Sequence, residues 1–310
     1  MKTFLITGAS GYIGSHMAYQ LRQSYPDCYI VGVDKVRKRK LDWLFNDFFQ
    51  LDLCRTDGNT FDNYKYDCIF HFAGLASVPE GENNKFEYYY NNLTSSLNVL
   101  NDAIKNEVPY FIFSSSCAVY GNPIYVPIDE EHEKNPISVY AKTKSTFEDM
   151  LLAAVEEKKI RGGILRYFNA AGRNAEAGLY EEHNPETHLI PLLVRGDTID
   201  VYGKDYMTTD GTPLRDYIHV TDICEAHIKT YEYLQENNSL VCNIGTGMGH
   251  SVIEVVEKVN FVLGKEVKMR FKSRRTGDAV ALVSDVTKMR NVLQFQPKHD
   301  IVSIVKSMRE

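Results

Sequence analysis

Tyr140 and Lys144, in the run Tyr140-Ala141-Lys142-Thr143-Lys144, carry a phenol and an ammonium four residues apart. On a helix that spacing puts both groups on one face. For the phenol to act as an acid or base near neutrality its pKa, ordinarily near 10, must fall by about 3, which corresponds to roughly 4 kcal/mol. A neighbouring cation supplies part of that fall. Upstream, Ser114-Ser115-Ser116 follows an apolar run that ends at Phe113, so hydroxyls stand at a strand end for the same chemistry. A Tyr and Lys at this spacing are common on helical surfaces, and their meaning depends on what else the chain carries.

What else it carries begins at the N-terminus. Gly8-Ala9-Ser10-Gly11-Tyr12-Ile13-Gly14 follows the first apolar run and opens a helical pattern. Glycines in that context let backbone approach a pyrophosphate at a helix N-terminus. The spacing is G-x-x-G-x-x-G, a departure from G-x-G-x-x-G. Asp34 ends the second apolar run, 20 residues beyond Gly14, where a carboxylate accepts hydrogen bonds from an adenosine ribose and repels a 2′-phosphate. NAD is therefore expected as cofactor, in preference to NADP. Lys35 and the run Arg37-Lys38-Arg39-Lys40 read as solvated surface charge, and Asp52-Leu53 as an adenine contact. With NAD bound, the nicotinamide cation adds to Lys144 in making Tyr140 acidic.

Apolar runs at 3–7, 29–34, 68–72, 110–114 and 163–167 alternate with helical patterns at 14–24, 92–106 and 140–158. This βαβ rhythm predicts an α/β fold, a doubly wound parallel sheet of Rossmann type. Residues 1–170 form the expected NAD-binding domain, with a returning segment near 214–242. After Asn169, stretches rich in Gly, Pro and Asn at 172–185, 203–213 and 245–249 predict a smaller C-terminal substrate-binding lobe over 171–310. The chain has 310 residues, 44% of them hydrophobic, and a formal charge of −6. That balance excludes a disordered or coiled-coil chain and gives no footprint for nucleic acid or an anionic membrane. With no membrane-length apolar run and no signal-peptide pattern, the expected location is cytoplasmic. Six cysteines (Cys28, Cys54, Cys68, Cys117, Cys224, Cys242) lack zinc or redox spacing, so free thiols and no metal site are expected.

Further motifs lie in order behind these. They are Phe113-Ser114-Ser115-Ser116-Cys117-Ala118-Val119-Tyr120-Gly121, Leu165-Arg166-Tyr167-Phe168-Asn169, Tyr202-Gly203-Lys204-Asp205-Tyr206, Asp210-Gly211-Thr212, Arg215-Asp216-Tyr217-Ile218-His219-Val220, Asn243-Ile244-Gly245-Thr246-Gly247 and Arg274-Arg275-Thr276-Gly277-Asp278. With them the chain resembles the extended branch of the short-chain dehydrogenase/reductase superfamily, and within it the UDP-galactose 4-epimerase family, from residue 3 to about residue 285. The resemblance implies that Tyr140 is the acid/base, Lys144 tunes it and Ser116 holds the reacting hydroxyl. It also implies that Gly8, Gly11, Tyr12, Ile13, Gly14, Asp34, Asp52, Leu53, Phe72, Ala73, Gly74, Asn91, Ser114 and Tyr167 contact NAD together with Tyr140 and Lys144. Asn169, His188, Leu189, Tyr202, Arg215, Arg275 and Asp278 would surround a UDP-sugar with Ser116, the arginine forks suiting diphosphate oxygens. A homodimer through helices 92–106 and 140–158 is implied as well.

Dehydratases of this superfamily place carboxylates just after the catalytic serine or threonine. Here Cys117 and Ala118 stand there, and neither is a carboxylate acid or base. The reaction then left is inversion at C4, UDP-galactose to UDP-glucose, through a transient 4-keto intermediate. Leu282 stands where a bulky aromatic narrows the hexose pocket, so a UDP-N-acetylhexosamine or a UDP-pentose is the alternative substrate. A 4-ketoreductase, which consumes reduced cofactor, is the alternative reaction. His71, at a strand end, reads as a structural histidine. Ala76 replaces a cofactor-contacting lysine of some relatives, and the chain lacks their tryptophan-containing closing segment, with an expected cost to the stability of the small lobe.

Overall fold

Phe4, Leu5 and Ile6 are fully buried, as are Ile30, Val31 and Val33 and then Cys68, Ile69 and Phe70. Nearly continuous apolar runs of this kind form strands covered on both faces. In the computed structural model, which describes residues 1–56, 62–182, 186–196, 198–275 and 278–309, the chain opens with β1 (Thr3–Thr7), α1 (Tyr12–Ser24), β2 (Tyr29–Asp34), β3 (Asp47–Gln50) and β4 (Cys68–His71). It continues through α2 (Val78–Asn83), α3 (Lys85–Lys105), β5 (Tyr110–Ser116), α4 (Val139–Glu156), β6 (Arg161–Tyr167), β7 (Asn169–Ala171) and α5 (Leu189–Arg195). Then come β8 (Thr198–Tyr202), β9 (Leu214–His219), α6 (Val220–Leu234), β10 (Ser239–Ile244) and β11 (Gly249–Ser251). The last elements are α7 (Val252–Leu263), β12 (Lys268–Lys272), β13 (Ala281–Leu282), α8 (Thr287–Val292) and α9 (Ile301–Ser307).

The seven-stranded sheet has the order β10-β6-β5-β4-β1-β2-β3. Its ladders from β5 to β3 are parallel, with Leu5 paired to Val31 on one side and to Ile69 on the other. Strand order reverses at β1, the switch point at which doubly wound sheets bind dinucleotides. On one face Val99, Leu100 and Ala103 of α3 and Phe147 and Leu151 of α4 pack with Leu5, Ile69, Phe111 and Phe113.

Two boundaries and two edge strands differ from the sequence pattern in instructive ways. Helix α3 begins at Lys85, well before residue 92, because Tyr88 is fully buried while Phe86 and Tyr90 are exposed; an aromatic run masks the helical period. Strand β5 continues through the serines to Ser116, polar residues that carry no strand signal. β3 and β10 close the two edges of the sheet; their apolar stretches, Phe48-Phe49 and Leu240-Val241-Cys242, are short and bounded by polar residues.

The chain divides into two compact units. The first comprises Met1–Val119, Pro136–Arg166 and Cys224–Cys242, the second Tyr120–Asn135, Tyr167–Ile223 and Asn243–Glu310. In the second unit β9 pairs with β7, β11 and β13, and β8 pairs with β12. Its core joins Ile190 and Leu193 of α5, Val255, Val256 and Val259 of α7, and Ile301, Ile304 and Val305 of α9. Asp300 caps α9 by accepting from the Ser303 N–H at 2.8 Å. The C-terminal segment is thus part of that core without a tryptophan.

Candidate active site

The glycine turn is built for close approach. Gly8 has φ +67°, and a Cβ there would lie 2.8 Å from the Ala73 nitrogen; a Cβ at Gly14 would lie 2.2 Å from the Gly8 oxygen. Gly11 caps α1 without a side chain, so the first-turn N–H groups are left for an anionic ligand. Tyr12 turns its ring edge-on to His16 at 5.1 Å, and Ile13 is half-buried. Asp34 accepts from Ser10 N at 2.9 Å and from Val36 N at 3.0 Å, and burial raises its carboxyl above the usual range against those bonds. Arg37 pairs with Asp42 through two 3.0 Å bonds, and Lys35 reaches Asp52 at 3.5 Å. Two cations of the basic run are therefore engaged by carboxylates. Asp52 also accepts from Cys54 N at 3.1 Å. Leu53 is 6% exposed and packs into the core of the first unit, so its side chain serves packing. Phe72 lies 4.9 Å from the His227 ring, and Ala73 N donates to Thr7 Oγ1 at 3.3 Å.

Ser138 caps α4 by accepting from Ala141 N at 3.2 Å, which starts the helix just ahead of Tyr140. Lys144 is 6% exposed. Its Nζ donates to the Ser114 carbonyl at 2.8 Å and stands 4.7 Å from the Phe113 ring centre and 5.7 Å from that of Tyr140. Burial pulls the ammonium down to about 8, with Glu148 opposing. Burial pushes the Tyr140 phenol up to about 12, against a downward pull from the Ser116 side chain and with Cys117 adding to the rise. In the protein alone desolvation outweighs the Ser116 hydrogen bond; the fall expected from Lys144 and the nicotinamide cation together belongs to the NAD-bound state. Ser116 Oγ accepts from Ala118 N at 3.2 Å.

Asn91 and its neighbour Asn92 both lie on α3. The Asn91 amide faces Cys54 Sγ at 3.7 Å. Asn92, not singled out by the sequence, accepts from Leu75 N at 2.7 Å and donates to Leu75 O at 3.0 Å and Thr143 Oγ1 at 3.1 Å. It thereby fixes the chain just after Gly74 to α4. Nothing but adjacency to Asn91 marked it.

His71 lies between Thr7 Oγ1 (2.7 Å) and Ser96 Oγ (2.8 Å), stacked on Phe113. Burial, aided by Lys144, pushes its pKa down to about 3. Because the unfolded chain takes up a proton near pH 6.5 and the folded chain does not, this group contributes full stability above 6.5. The contribution is lost as pH falls, by about 1.4 kcal/mol per pH unit. Urea denaturation between pH 7 and 5.5 should show a steeper loss in the parent than in a His71→Gln variant; equal slopes would refute it.

In the second unit Arg215 sits on β9. Its Nη2 meets Asp278 and donates to Ala279 O at 3.0 Å, and its Nη1 donates to Leu214 O at 2.6 Å. Arg275 lies over the Tyr202 ring at 4.0 Å, and Tyr206 reaches Asp278 at 3.5 Å. Asn169 on β7 pairs with Tyr217, and Leu282 on β13 with Arg215. Tyr167 is buried at the end of β6. His188 caps α5 ahead of Leu189, and its Nδ1 is 2.5 Å from Glu181. Burial pulls that imidazole down, and Glu181 and Glu186 outweigh it, so its pKa is raised. Glu181, Glu186 and His188 hold ligand-type atoms within 4.8 Å of one another. Thr276 and Gly277 lie outside the described residues.

Asp216, which sequence reasoning quoted without a role, is fully buried. Its carboxylate accepts from Thr246 N (2.9 Å), Thr246 Oγ1 (2.6 Å), Gly247 N (3.0 Å), Ser284 N (3.2 Å) and Ser284 Oγ (2.5 Å). One side chain ties the Arg215 strand to the Asn243-Gly247 turn and to residue 284.

A sequence model of the NAD dependent epimerase/dehydratase family matches residues 4–245. The chain belongs to that family. It is 37% identical over 311 residues to a UDP-glucose 4-epimerase of Rhizobium meliloti, covering 98% of this chain and 94% of the relative. Among solved structures, UDP-glucose 4-epimerase from Brucella ovis in complex with NAD superposes with a TM-score of 0.93 at 36% identity, covering 99% of this chain and 97% of that one. The UDP-Glc/GlcNAc 4-epimerase from Campylobacter jejuni matches with a TM-score of 0.84 at 36% identity, covering 99% and 98%. As in the rest of this epimerase/dehydratase family, NAD is the cofactor. The residues present fit it: a bare-glycine cradle, an uncapped helix N-terminus and a carboxylate at the end of β2.

Proposed function

We propose that this protein is a UDP-glucose 4-epimerase that interconverts UDP-galactose and UDP-glucose through a 4-keto sugar. The reading is carried by the Ser116, Tyr140 and Lys144 set, followed by Cys117 and Ala118 where a further acid or base would be needed to act beyond C4. Gly8, Gly11, Gly14 and Asp34 would hold NAD, with Asp52, Phe72, Ala73, Gly74 and Asn91 along its length. When bound, NAD accepts the C4 hydrogen with its electron pair and returns it to the opposite face of the sugar, so no net redox change remains. Tyr140 removes the 4-hydroxyl proton and later gives it back. Ser116 holds the same oxygen, and Lys144 lowers the energy of the phenolate. Arg215 and Arg275 bind the diphosphate, with Asn169, His188, Leu189, Tyr202 and Asp278 around the rest of UDP. Binding energy placed on UDP leaves the hexose free to present either face.

Leu282 favours a second substrate, a UDP-N-acetylhexosamine, because leucine leaves room for an acetamido group. Exposed Phe86, Tyr90 and Leu97 on α3 support a homodimer formed through α3 and α4. Six free thiols suit the reducing cytoplasm, where the enzyme would serve galactose metabolism. No helix among the described residues is long and apolar enough to cross a membrane. The test is incubation of the protein with UDP-galactose and catalytic NAD. UDP-glucose should accumulate to equilibrium without net change in NADH. No conversion, or stoichiometric consumption of reduced cofactor, would overturn the reading.

A further inference from the structure

Tyr140, Lys144 and Glu148 follow one another at intervals of four along α4 and so form one stripe. Glu148 is fully buried, as are its partners Ser115 and Arg166 to within a few per cent. Ser115 Oγ donates to Glu148 Oε1 at 2.5 Å, and Arg166 forks onto the carboxylate, Nε to Oε1 at 3.0 Å and Nη2 to Oε2 at 2.8 Å. Donors from β5 and β6 therefore fix α4 one turn beyond the point where Lys144 meets the Ser114 carbonyl.

We propose that Glu148 is a positioning residue that sets the place and charge of Lys144 and acts through it on Tyr140. The proposal rests on the reading of Tyr140 and Lys144 as the acid/base pair. Facing Lys144 are Tyr140 and Glu148 on α4, the Phe113 ring and Ser114 carbonyl on β5, and His71 on β4. Facing Glu148 are Ser115 and Arg166. His71 is neutral at working pH, so Glu148 supplies the negative charge and Arg166 the positive one. Without the carboxylate, Arg166 would be left to repel the ammonium in a buried site. With it, the pair is balanced and Lys144 keeps its proton despite desolvation.

The experiment titrates Lys144 by NMR of lysine labelled at the ε-carbon, assigned with Lys144→Arg, alongside the pH dependence of kcat/KM for UDP-galactose. Glu148→Gln should lower the Lys144 midpoint by about one pH unit, and the alkaline limb of kcat/KM should move with it, a tenfold loss above the midpoint. The double variant Glu148→Gln/Arg166→Met, with both charges removed, should recover most of that shift, which a merely structural role would not produce. If the single variant does not fold, the double variant should still titrate slightly below the parent. A Lys144 midpoint unchanged in every folded variant overturns the proposal. A shifted midpoint in a protein that never converts UDP-galactose overturns the proposed function instead.

Discussion

Tyr140→Phe is expected to reduce epimerase turnover by about a thousandfold or more while NAD and UDP still bind. The substitution removes one oxygen and keeps the ring. Proton transfer by a positioned group contributes 10²–10⁴ in rate, and in the proposed mechanism one phenol serves both proton removal and return. The remaining hydroxyl, Ser116, lies next to Cys117 and Ala118, which cannot take over. Burial pushes the phenol of the protein alone up to about 12, and in the proposed mechanism Lys144 and bound cofactor charge together favour its ionisation. Rapid-mixing turnover measured beside calorimetric titration with NAD and UDP checks this. Unchanged turnover in the variant removes the acid/base role of Tyr140.

Asp216→Ala should destabilise the second unit by about 4 kcal/mol, because five donors lose a buried anionic acceptor at once. Thr246, Gly247 and Ser284 would be left with unmet N–H and hydroxyl groups, those of Ser284 buried and those of Thr246 and Gly247 half-buried. Arg215, proposed to bind the diphosphate, immediately precedes Asp216 on the same strand, so UDP affinity should fall with the fold. Asp216→Asn, which keeps an acceptor oxygen, should recover part of the stability. Chemical denaturation and UDP titration of both variants provide the measurement; an alanine variant as stable as the parent would show that the five bonds contribute nothing net.

The inner strands of the sheet were legible because burial on both faces forces unbroken apolar runs such as Phe4-Leu5-Ile6. The edge strands were not: Asp47–Gln50 offers only two apolar residues, and the Leu240-Val241-Cys242 run of Ser239–Ile244 is short and set between polar residues. Tyr140 and Lys144 stand out by residue type and spacing, and Ser116 only through the family resemblance. Asn92, Asp216 and Glu148 do not stand out, because an amide or carboxylate gains its role from partners distant in sequence: Thr143 for Asn92, Ser284 for Asp216 and Arg166 for Glu148. The desolvation of Tyr140 was equally illegible: spacing reports which charges are near, and desolvation depends on the whole surrounding shell.

The late arrival of β10 bears on how the protein can be made. A ribosome that has released residues 1–166 has delivered six of the seven sheet strands but neither α6 nor β10, and β6 would present an unpaired row of amides and carbonyls. Open edges of this kind recruit other chains. A truncated dinucleotide-binding fragment would therefore tend to self-associate, and nascent chains stalled before residue 244 are the stage at which chaperone protection matters most.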